Sequence, residues 1–484
     1  MSKSQCLMKR LKSFMAGLLL LVVSLEVFAA TPAKLPNIIV ILTDDQGYAD
    51  ISFNPDHPKE VSTSHMDALA KEGVFFKQAY TSGPVCSPTR TGLMLGRYQQ
   101  RVGVYTGGEG GRGIDPKIPI FPALLPKEYN SMAIGKWHLG LDEDAPELKW
   151  HPINRGFKET YNFMGRGGHD YFEMKGVKGG ETSPMYRGKE KVVDEGYLTT
   201  RLSEEAVSFI GRNKEQPFFL YLAYNAVHAP AQAPKADIER IKKQFPDITE
   251  ARAILMAMLY HLDLGVGSVV KKLKDEKLWD NTLLVFLTDN GGSKAMSANN
   301  GSLKGFKSSY YEGGIRTPFI VSWPAKFRGG RTIDTPVISL DILPTALEAA
   351  GVSTEGKNFD GKSLLPLLTG KTKEHHQTLY WSSAHEGDWA IRQGDWKLHG
   401  IKAARELVNL AADPGEKINL ATQHPVKVKE LTALHDAWLA QMAEPRTKGA
   451  AKRWVAEPEK KELTEREKKR MEKKKEKQKA KAGQ

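Results

Sequence analysis

Apolar residues arrive along this chain in two rhythms. Two compact runs, Asn37-Ile38-Ile39-Val40-Ile41-Leu42 and Leu283-Leu284-Val285-Phe286-Leu287, show no alternation, which predicts strands buried on both faces. Each stops abruptly in polar residues, the first at Thr43-Asp44-Asp45-Gln46-Gly47 and the second at Thr288-Asp289-Asn290-Gly291-Gly292. Phe218-Phe219-Leu220-Tyr221-Leu222 and Pro318-Phe319-Ile320-Val321 read as further core strands. Between these runs the apolar spacing turns helical, from His65 to Lys71, from Glu204 to Ile210 and from Ala251 to Leu273. Gly73 is expected to close the first of these helices, and Ser64 to cap its start. Strands alternating with helices predict an α/β fold: a large mixed, mostly parallel central sheet flanked by helices.

The rhythm changes after Leu368-Thr369-Gly370. Short aromatic segments, Leu379-Tyr380-Trp381, Trp389-Ala390-Ile391-Arg392 and Asp395-Trp396-Lys397-Leu398, predict a small C-terminal antiparallel sheet, with a helix from about Lys427 to Met442. From Arg446 onward apolar residues nearly vanish, as expected of a disordered or solvated-helical tail. At the other end Lys3, Lys9, Arg10 and Lys12 precede the apolar run Met15 to Val23 and then Val27-Phe28-Ala29-Ala30. That run is about half the roughly 20 residues a membrane span requires, so it reads as a cleaved export signal rather than an anchor. The expected organisation is a signal over 1–30, a main domain over 31–372, a C-terminal subdomain over 373–445 and a basic Lys/Glu-rich tail over 446–484.

With 484 residues the chain can bury a large core. Its formal charge of +13 suggests a polyanion binder until the charge is divided along the sequence. The tail from Arg446 holds sixteen basic and seven acidic residues, +9, and the first thirty residues carry +3, which leaves the body near +1. Basicity therefore belongs to the ends and gives no reason to expect nucleic acid at the active site. Once the signal is removed Cys86 is the one remaining cysteine, so no internal disulfide can form. The acidic pairs stand where ligands bind in open α/β sheets, at the carboxyl ends of central strands.

The context of Cys86 is Cys86-Ser87-Pro88-Thr89-Arg90, followed by Thr91-Gly92-Leu93-Met94-Leu95-Gly96-Arg97. This resembles the C-x-P-x-R and L-x-G-R signature of the type I, formylglycine-dependent sulfatases, which include arylsulfatases and N-acetylgalactosamine-6-sulfatases within the alkaline phosphatase superfamily. The resemblance covers the mature chain up to the tail. It implies that Cys86 is oxidised to formylglycine by a formylglycine-generating or anaerobic maturation enzyme. The hydrated aldehyde offers two hydroxyls on one carbon, one to attack sulfur and the other to expel sulfate.

The resemblance also implies a single divalent cation, held by Asp44, Asp45, Asp289, Asn290 and the modified Cys86. Oxygen donors suit a hard ion, with Ca²⁺ favoured and Mg²⁺ the alternative. Arg90 corresponds to the arginine that binds the modified residue and the metal-bound carboxylates. In Gly135-Lys136-Trp137-His138-Leu139-Gly140, Lys136 corresponds to a lysine on a sulfate oxygen, and His138 to the histidine bonded to the formylglycine hydroxyl, a base for sulfate release. His228, in Asn225-Ala226-Val227-His228-Ala229-Pro230, corresponds to a histidine facing the ester oxygen. Lys307, five residues before Glu312 of the EGGIRTP stretch, corresponds to a lysine that touches sulfate and can protonate the leaving group. The position of Lys304 is variable in the family. By the same resemblance, Asp289 is expected to accept the attacking hydroxyl's proton. His65, His151, His169, His261 and His385 lack such contexts and read as core or surface residues. Glycines 291, 292, 313 and 314 are expected to let the backbone turn tightly near the cation.

The expected activity is that of a sulfuric ester hydrolase acting on a sulfated carbohydrate, a polysaccharide or glycosaminoglycan-like molecule. Its expected setting is secreted or periplasmic with no transmembrane anchor after signal cleavage, and the short signal without disulfides points to a bacterium. Tyr105 to Asp115, Trp150 to Gly180 and His385 to Trp389 are the loops expected to set the sugar, and the glycine-rich loop with Arg112, Arg166 and His169 reads equally as a polyanion contact or as an ordinary surface excursion. Two other readings stand beside this one. A phosphoester or phosphonate hydrolase of the same superfamily would typically use serine or threonine, two zinc ions and extra histidines. A noncatalytic sulfated-glycan binder would leave Cys86 unconverted.

Overall fold

The computed structural model describes residues 34–140, 148–165, 167–174, 183–383 and 387–446. The expected signal, Arg166, His385 and the tail beyond 446 lie outside these residues.

Ten strands form the main sheet: β1 (Asn37–Thr43), β2 (Val74–Phe76), β3 (Asn130–Lys136), β4 (Glu159–Phe163), β5 (Met185–Arg187), β6 (Glu190–Val192), β7 (Phe218–Ala223), β8 (Thr282–Thr288), β9 (Phe319–Ser322) and β10 (Arg331–Ile333). Their order across the sheet is β10-β2-β9-β8-β1-β7-β3-β4-β5-β6. The centre, β8-β1-β7-β3-β4, is parallel throughout. Antiparallel pairs appear only towards the edges, at β9 with β8 and β2 and at β5 with β4 and β6. Thus Phe319–Ser322, read from its apolar run as a core strand, is core but runs antiparallel to β8. Every residue of β1, β7 and β8 is buried, which is why their sequences carry no alternation.

Among the helices are α1 (Ser64–Glu72), α2 (Cys86–Leu95), α3 (Leu198–Arg212), α4 (Lys235–Gln244), α5 (Glu250–Asp275), α6 (Ile342–Ala349) and α7 (Pro425–Leu439). α5 alone among the described residues is long and apolar enough to cross a membrane. It is a core helix here: Leu255, Leu259, Leu262, Val266 and Val269 share one buried cluster with Leu202, Ala206 and Phe209 of α3. It also caps α1. Ser64 is the first residue of α1 rather than its cap, Thr63 precedes it, and the free N–H groups of His65 and Met66 donate to the Asp263 carboxylate of α5 at 3.1 and 2.8 Å. A side chain distant in sequence thus does what a local cap usually does.

Four antiparallel strands follow, β11 (Thr378–Ser382), β12 (Trp389–Gln393), β13 (Trp396–Ile401) and β14 (Ala404–Asn409), with α7 packed on them through Leu431 and Trp438. The last of these strands was not evident from the pattern of Ala-Arg-Glu-Leu-Val-Asn. Buried polar bonds tie this sheet to the rest. Trp381 Nε1 donates to the Thr81 carbonyl at 2.8 Å, and the fully buried Lys397 meets Glu312 at 2.7 Å and Glu416 at 3.1 Å. At the start of α6 the buried Asp341 carboxylate accepts the N–H of Ile338 and Lys362 and faces His375 and His376 at 3.0 and 2.7 Å.

Candidate active site

The parallel core delivers its polar residues to one edge. β1 and β8 run in register, with Thr43 opposite Thr288, so Asp44-Asp45 and Asp289-Asn290 leave the sheet side by side. Backbone bonds continue past the strand ends: Asp289 N donates to the Thr43 carbonyl at 3.1 Å, Asp44 N to that of Ala226 at 3.0 Å, and Val227 N to that of Asp44 at 2.7 Å. The last of these holds the loop bearing His228. β3 ends at Lys136, and His138 two residues on is fixed by its N–H on the Met164 carbonyl at 3.0 Å. Lys307 is held next to the second acidic pair, its N–H on the Gly292 carbonyl at 3.0 Å. Cys86 opens α2, whose ten residues are all buried, and the guanidinium of Arg90 one turn later reaches the strand ends.

These side chains form one charged cluster. Arg90 Nε donates to Asp289 Oδ2 at 2.9 Å, Nη2 stands 3.2 Å from Asp44 Oδ2, and Nη1 donates to the Lys136 carbonyl at 2.8 Å. Lys136 Nζ donates to Asp44 Oδ2 at 2.5 Å, and Lys307 Nζ meets Asp45 Oδ1 at 2.7 Å. Asn290 Nδ2 donates to Asp45 Oδ1 at 2.8 Å, and His228 Nε2 lies 3.8 Å from Asp45 Oδ2. The Cys86 thiol is held between an acceptor, Asp44 Oδ1 at 3.6 Å, and a donor, Lys307 Nζ at 3.3 Å. Asp45 and His138 have φ of 58° and 55°, the left-handed region that non-glycine residues adopt at a cost and that recurs at functional sites.

The cluster perturbs its own titration. Burial would raise the Asp44 carboxyl, but Lys136, His228, Arg90 and Lys307 outweigh it and hold the group well below the usual range. Burial and the neighbouring Asp44 would raise the Cys86 thiol, and Lys136, Lys307 and His228 nonetheless bring it down to about 7. Burial followed by Lys136 and Arg90 pushes His138 well below an ordinary histidine. His228 moves the other way: burial and Lys136 oppose its charge, and Asp44, Cys86 and Asp45 prevail.

The donor set fits a hard cation. Ligand atoms of Asp44, Asp45, Cys86 and His228 lie within 4.8 Å of one another. Asp289 Oδ1 and Asn290 Oδ1 are buried acceptors with no hydrogen-bond partner, as expected of oxygens that await an ion. The four glycines near this set act by close approach rather than by a left-handed turn. A Cβ on Gly291 would stand 1.9 Å from the Gly313 carbonyl oxygen, and one on Gly314 2.0 Å from that of Ser309.

All ten predicted site residues therefore come together. Lys304 does not join them: its ammonium lies 3.1 Å from Glu406 and over the Tyr311 ring. His151 and His169 are core residues, His65 packs near Gly267, and His261 pairs with Asp237 at 2.9 Å. An open pocket of about 1010 Å³ stands above Cys86, and its wall includes Gly107, Arg112 and Trp150. Two of the three loops expected to set the substrate, Tyr105 to Asp115 and Trp150 to Gly180, supply part of this wall, yet His169, offered as a polyanion contact, is buried against Phe163. Thr43, Gln46 and Thr288 form a supporting network unremarked in the sequence, with Thr43 Oγ1 donating to Gln46 Oε1 at 2.9 Å and Gln46 N to Thr288 Oγ1 at 3.3 Å. The threonine before each acidic pair is the signal that could have revealed it.

Comparison with known proteins gives the same picture. The family model described as Sulfatase matches residues 36–352, and one described as N-sulphoglucosamine sulphohydrolase, C-terminal, matches residues 306–444. The chain is 33% identical over 398 residues to the uncharacterized sulfatase YdeN of Escherichia coli K12, covering 72% of this chain and 69% of that protein. It is 30% identical over 445 residues to the N-acetylgalactosamine-6-sulfatase of Canis lupus familiaris, covering 84% and 80%. The crystal structure of Ps i-CgsB in complex with k-i-k-neocarrahexaose superposes with a TM-score of 0.79 at 34% identity, over 85% of this chain and 94% of that one. With its strand-end acids, its Cys86 helix and these relatives, the chain belongs to the sulfatase family and is a sulfuric ester hydrolase.

Proposed function

We propose that this chain removes sulfate from a sulfated polysaccharide or glycosaminoglycan-like carbohydrate, with Cys86 converted to formylglycine. The observation that carries the reading is the setting of Cys86. Its Sγ lies between a carboxylate at 3.6 Å and an ammonium at 3.3 Å on the floor of an open pocket. A hydroxyl there would donate to the carboxylate and accept from the ammonium, which would hold an attacking oxygen in place beneath the pocket. The formylglycine hydrate supplies one hydroxyl for attack on sulfur and a second for expelling sulfate.

Asp44, Asp45, Asp289 and Asn290 are the residues that would hold the cation, whose chemistry is to offset charge on the sulfate oxygens. Four oxygen-bearing side chains, rather than one or two carboxylates with several waters, favour Ca²⁺ over Mg²⁺. Arg90 fixes the carboxylates and the start of α2. Lys136 and Lys307 draw the sulfate oxygens into place. His228 or Lys307 gives a proton to the leaving oxygen, and His138 takes one when sulfate departs. Asp289 accepts the proton of the attacking hydroxyl.

The carbohydrate substrate is supported by the relatives, one an N-acetylgalactosamine-6-sulfatase and one crystallised with a neocarrahexaose. The N-terminal pattern supports export to a secreted or periplasmic setting, and the Cys86-Ser87-Pro88-Thr89-Arg90 context supports maturation by a separate formylglycine-forming enzyme. We read 31–372 as the catalytic domain and 373–445 as its subdomain, a division supported by the separate four-stranded sheet over Thr378–Asn409.

The test is sulfate release from a panel of sulfated mono- and oligosaccharides by protein co-expressed with a maturation enzyme, with the mass of the Cys86 peptide measured. Release that vanishes in Cys86→Ala is expected. Phosphate release from phosphoesters with no sulfate release, or glycan binding without turnover, would sink the reading in favour of one of its rivals.

A further inference from the structure

The cations nearest Cys86 are already engaged with carboxylates: Lys136 with Asp44, Lys307 with Asp45, and Arg90 with Asp44 and Asp289. Arg112 in the pocket wall differs. Its side chain is exposed, and among the described residues no carboxylate, carbonyl or ring takes its guanidinium. Of the two acids three residues away, Glu109 is turned inward and buried, its Oε2 accepting the N–H of Tyr105 at 2.8 Å and of Thr106 at 3.1 Å, and Asp115 Oδ1 accepts the N–H of Lys117 at 3.0 Å. Among the described residues, the Glu109 carboxylate is thus committed to backbone N–H groups while Arg112 stays exposed in the pocket wall.

The segment bearing Arg112 is anchored to the reacting centre. Ser87, next to Cys86, donates its hydroxyl to the Gly107 carbonyl at 2.8 Å. A Cβ on Gly111 would stand at ordinary contact distance, 3.8 Å, from His138 Nε2. On the far side Gly113 is wedged against the Trp150 indole, where a Cβ would come within 2.3 Å of the ring. Trp150 is itself pinned by its carbonyl, which accepts Trp137 Nε1 at 2.8 Å. Arg112 is the next residue after Gly111, their Cα atoms about 3.8 Å apart. Arg112 therefore lines the same pocket wall as Cys86 and His138, and no partner among the described residues takes its guanidinium.

We propose that Arg112 forms a second anion subsite, which binds a sulfate or carboxylate on the sugar next to the one losing sulfate. On the sulfatase reading, from which this follows, the enzyme selects glycans with charged neighbouring sugars over singly sulfated ones. A planar guanidinium with paired N–H donors suits either oxyanion.

The experiment uses matured wild type, Arg112→Ala and Arg112→Lys on matched tetrasaccharides of a sulfated galactan and of a glycosaminoglycan. Each comes in three forms: the cleavable sulfate alone, with a second sulfate on the neighbouring sugar, and with a uronate as that neighbour. Wild type should prefer a charged neighbour by roughly tenfold in kcat/KM, the low end for a charge-assisted hydrogen bond at a solvent-open site. Arg112→Ala should bring that ratio close to one, mainly through KM, and Arg112→Lys should keep part of it. Which charged form is preferred identifies the anion. The subsite is overturned if wild type shows no preference, if Arg112→Ala leaves the ratio intact, or if only aryl sulfates are cleaved. Failure to release sulfate from any ester, a chromogenic aryl sulfate included, would sink the sulfatase reading itself.

Discussion

Arg90→Gln tests the electrostatic account of the site most directly. The guanidinium is fully buried and makes bonds to Asp289, Asp44 and the Lys136 carbonyl. Glutamine is shorter, carries no charge and can replace one of these bonds. It would leave two buried carboxylates with Lys136 as their remaining close cation, and removing one partner of a buried ion pair costs about 3–5 kcal/mol. The body of roughly 410 residues unfolds with an entropy near 0.9 kcal/mol/K, so the loss corresponds to a fall in Tm of about 3–6 °C. A divalent cation bound there would lie against the same carboxylates and supply part of the missing positive charge. The deficit should therefore be largest in chelator and smaller in Ca²⁺, with Arg90→Lys between wild type and Arg90→Gln. Scanning calorimetry of the three proteins in both conditions measures this. A variant melting within about 1 °C of wild type in chelator, or a deficit that grows with Ca²⁺, would refute the reasoning.

Chelation should abolish sulfate release and lower Tm, and Ca²⁺ at a hundred times its Kd should return about 2.7 kcal/mol of stability; better recovery with Mg²⁺ would overturn the choice of ion. Gly291→Ala should weaken cation binding and activity together, because its Cβ would stand 1.9 Å from the Gly313 oxygen and part the segment carrying Asp289 and Asn290 from its support; unchanged cation affinity would contradict this. Burial would raise the Glu312 carboxyl, but Lys397, Arg316 and Arg392 hold it down to about 2 against an ordinary 4.5. A depressed acid contributes fully above pH 4.5 and loses its contribution, up to about 3 kcal/mol, as pH falls towards 2, so Glu312→Gln should flatten urea-measured stability across that window; a wild-type slope in the variant would count against it.

The sequence made the acidic strand ends legible for a physical reason. Central parallel strands are buried on both faces, so β1 and β8 had to be continuous apolar runs, and the first polar residues after them had to lie at the sheet edge. β3 is almost as buried but did not read as a strand. Its Gly135 is required because a Cβ there would lie 2.0 Å from the Ala223 oxygen, and Asn130, Ser131 and Lys136 dilute the apolar signal. α2 was opaque for a related reason. Cys-Ser-Pro-Thr-Arg-Thr-Gly is poor helix sequence, and a helix forms because all ten residues are packed, with Gly92 pressed so close that a Cβ would meet Ser82 Oγ at 2.5 Å.

The same contrast separates the motif residues from the rest of the pocket. Asp45 and His138 adopt φ values that local preference disfavours, and Cys86 lies in a helix that propensity would not form. These positions answer to a common centre rather than to the element they belong to, so periodicity misses them and a motif finds them. Arg112 answers to neither rule. Its character rests on what its neighbours do, above all on Glu109 folding inward to bind Tyr105 and Thr106, and no spacing in the sequence states which way that carboxylate turns. Legibility therefore falls from the strand ends to the motif to the pocket wall, as each residue's role comes to depend on contacts made by more of its neighbours.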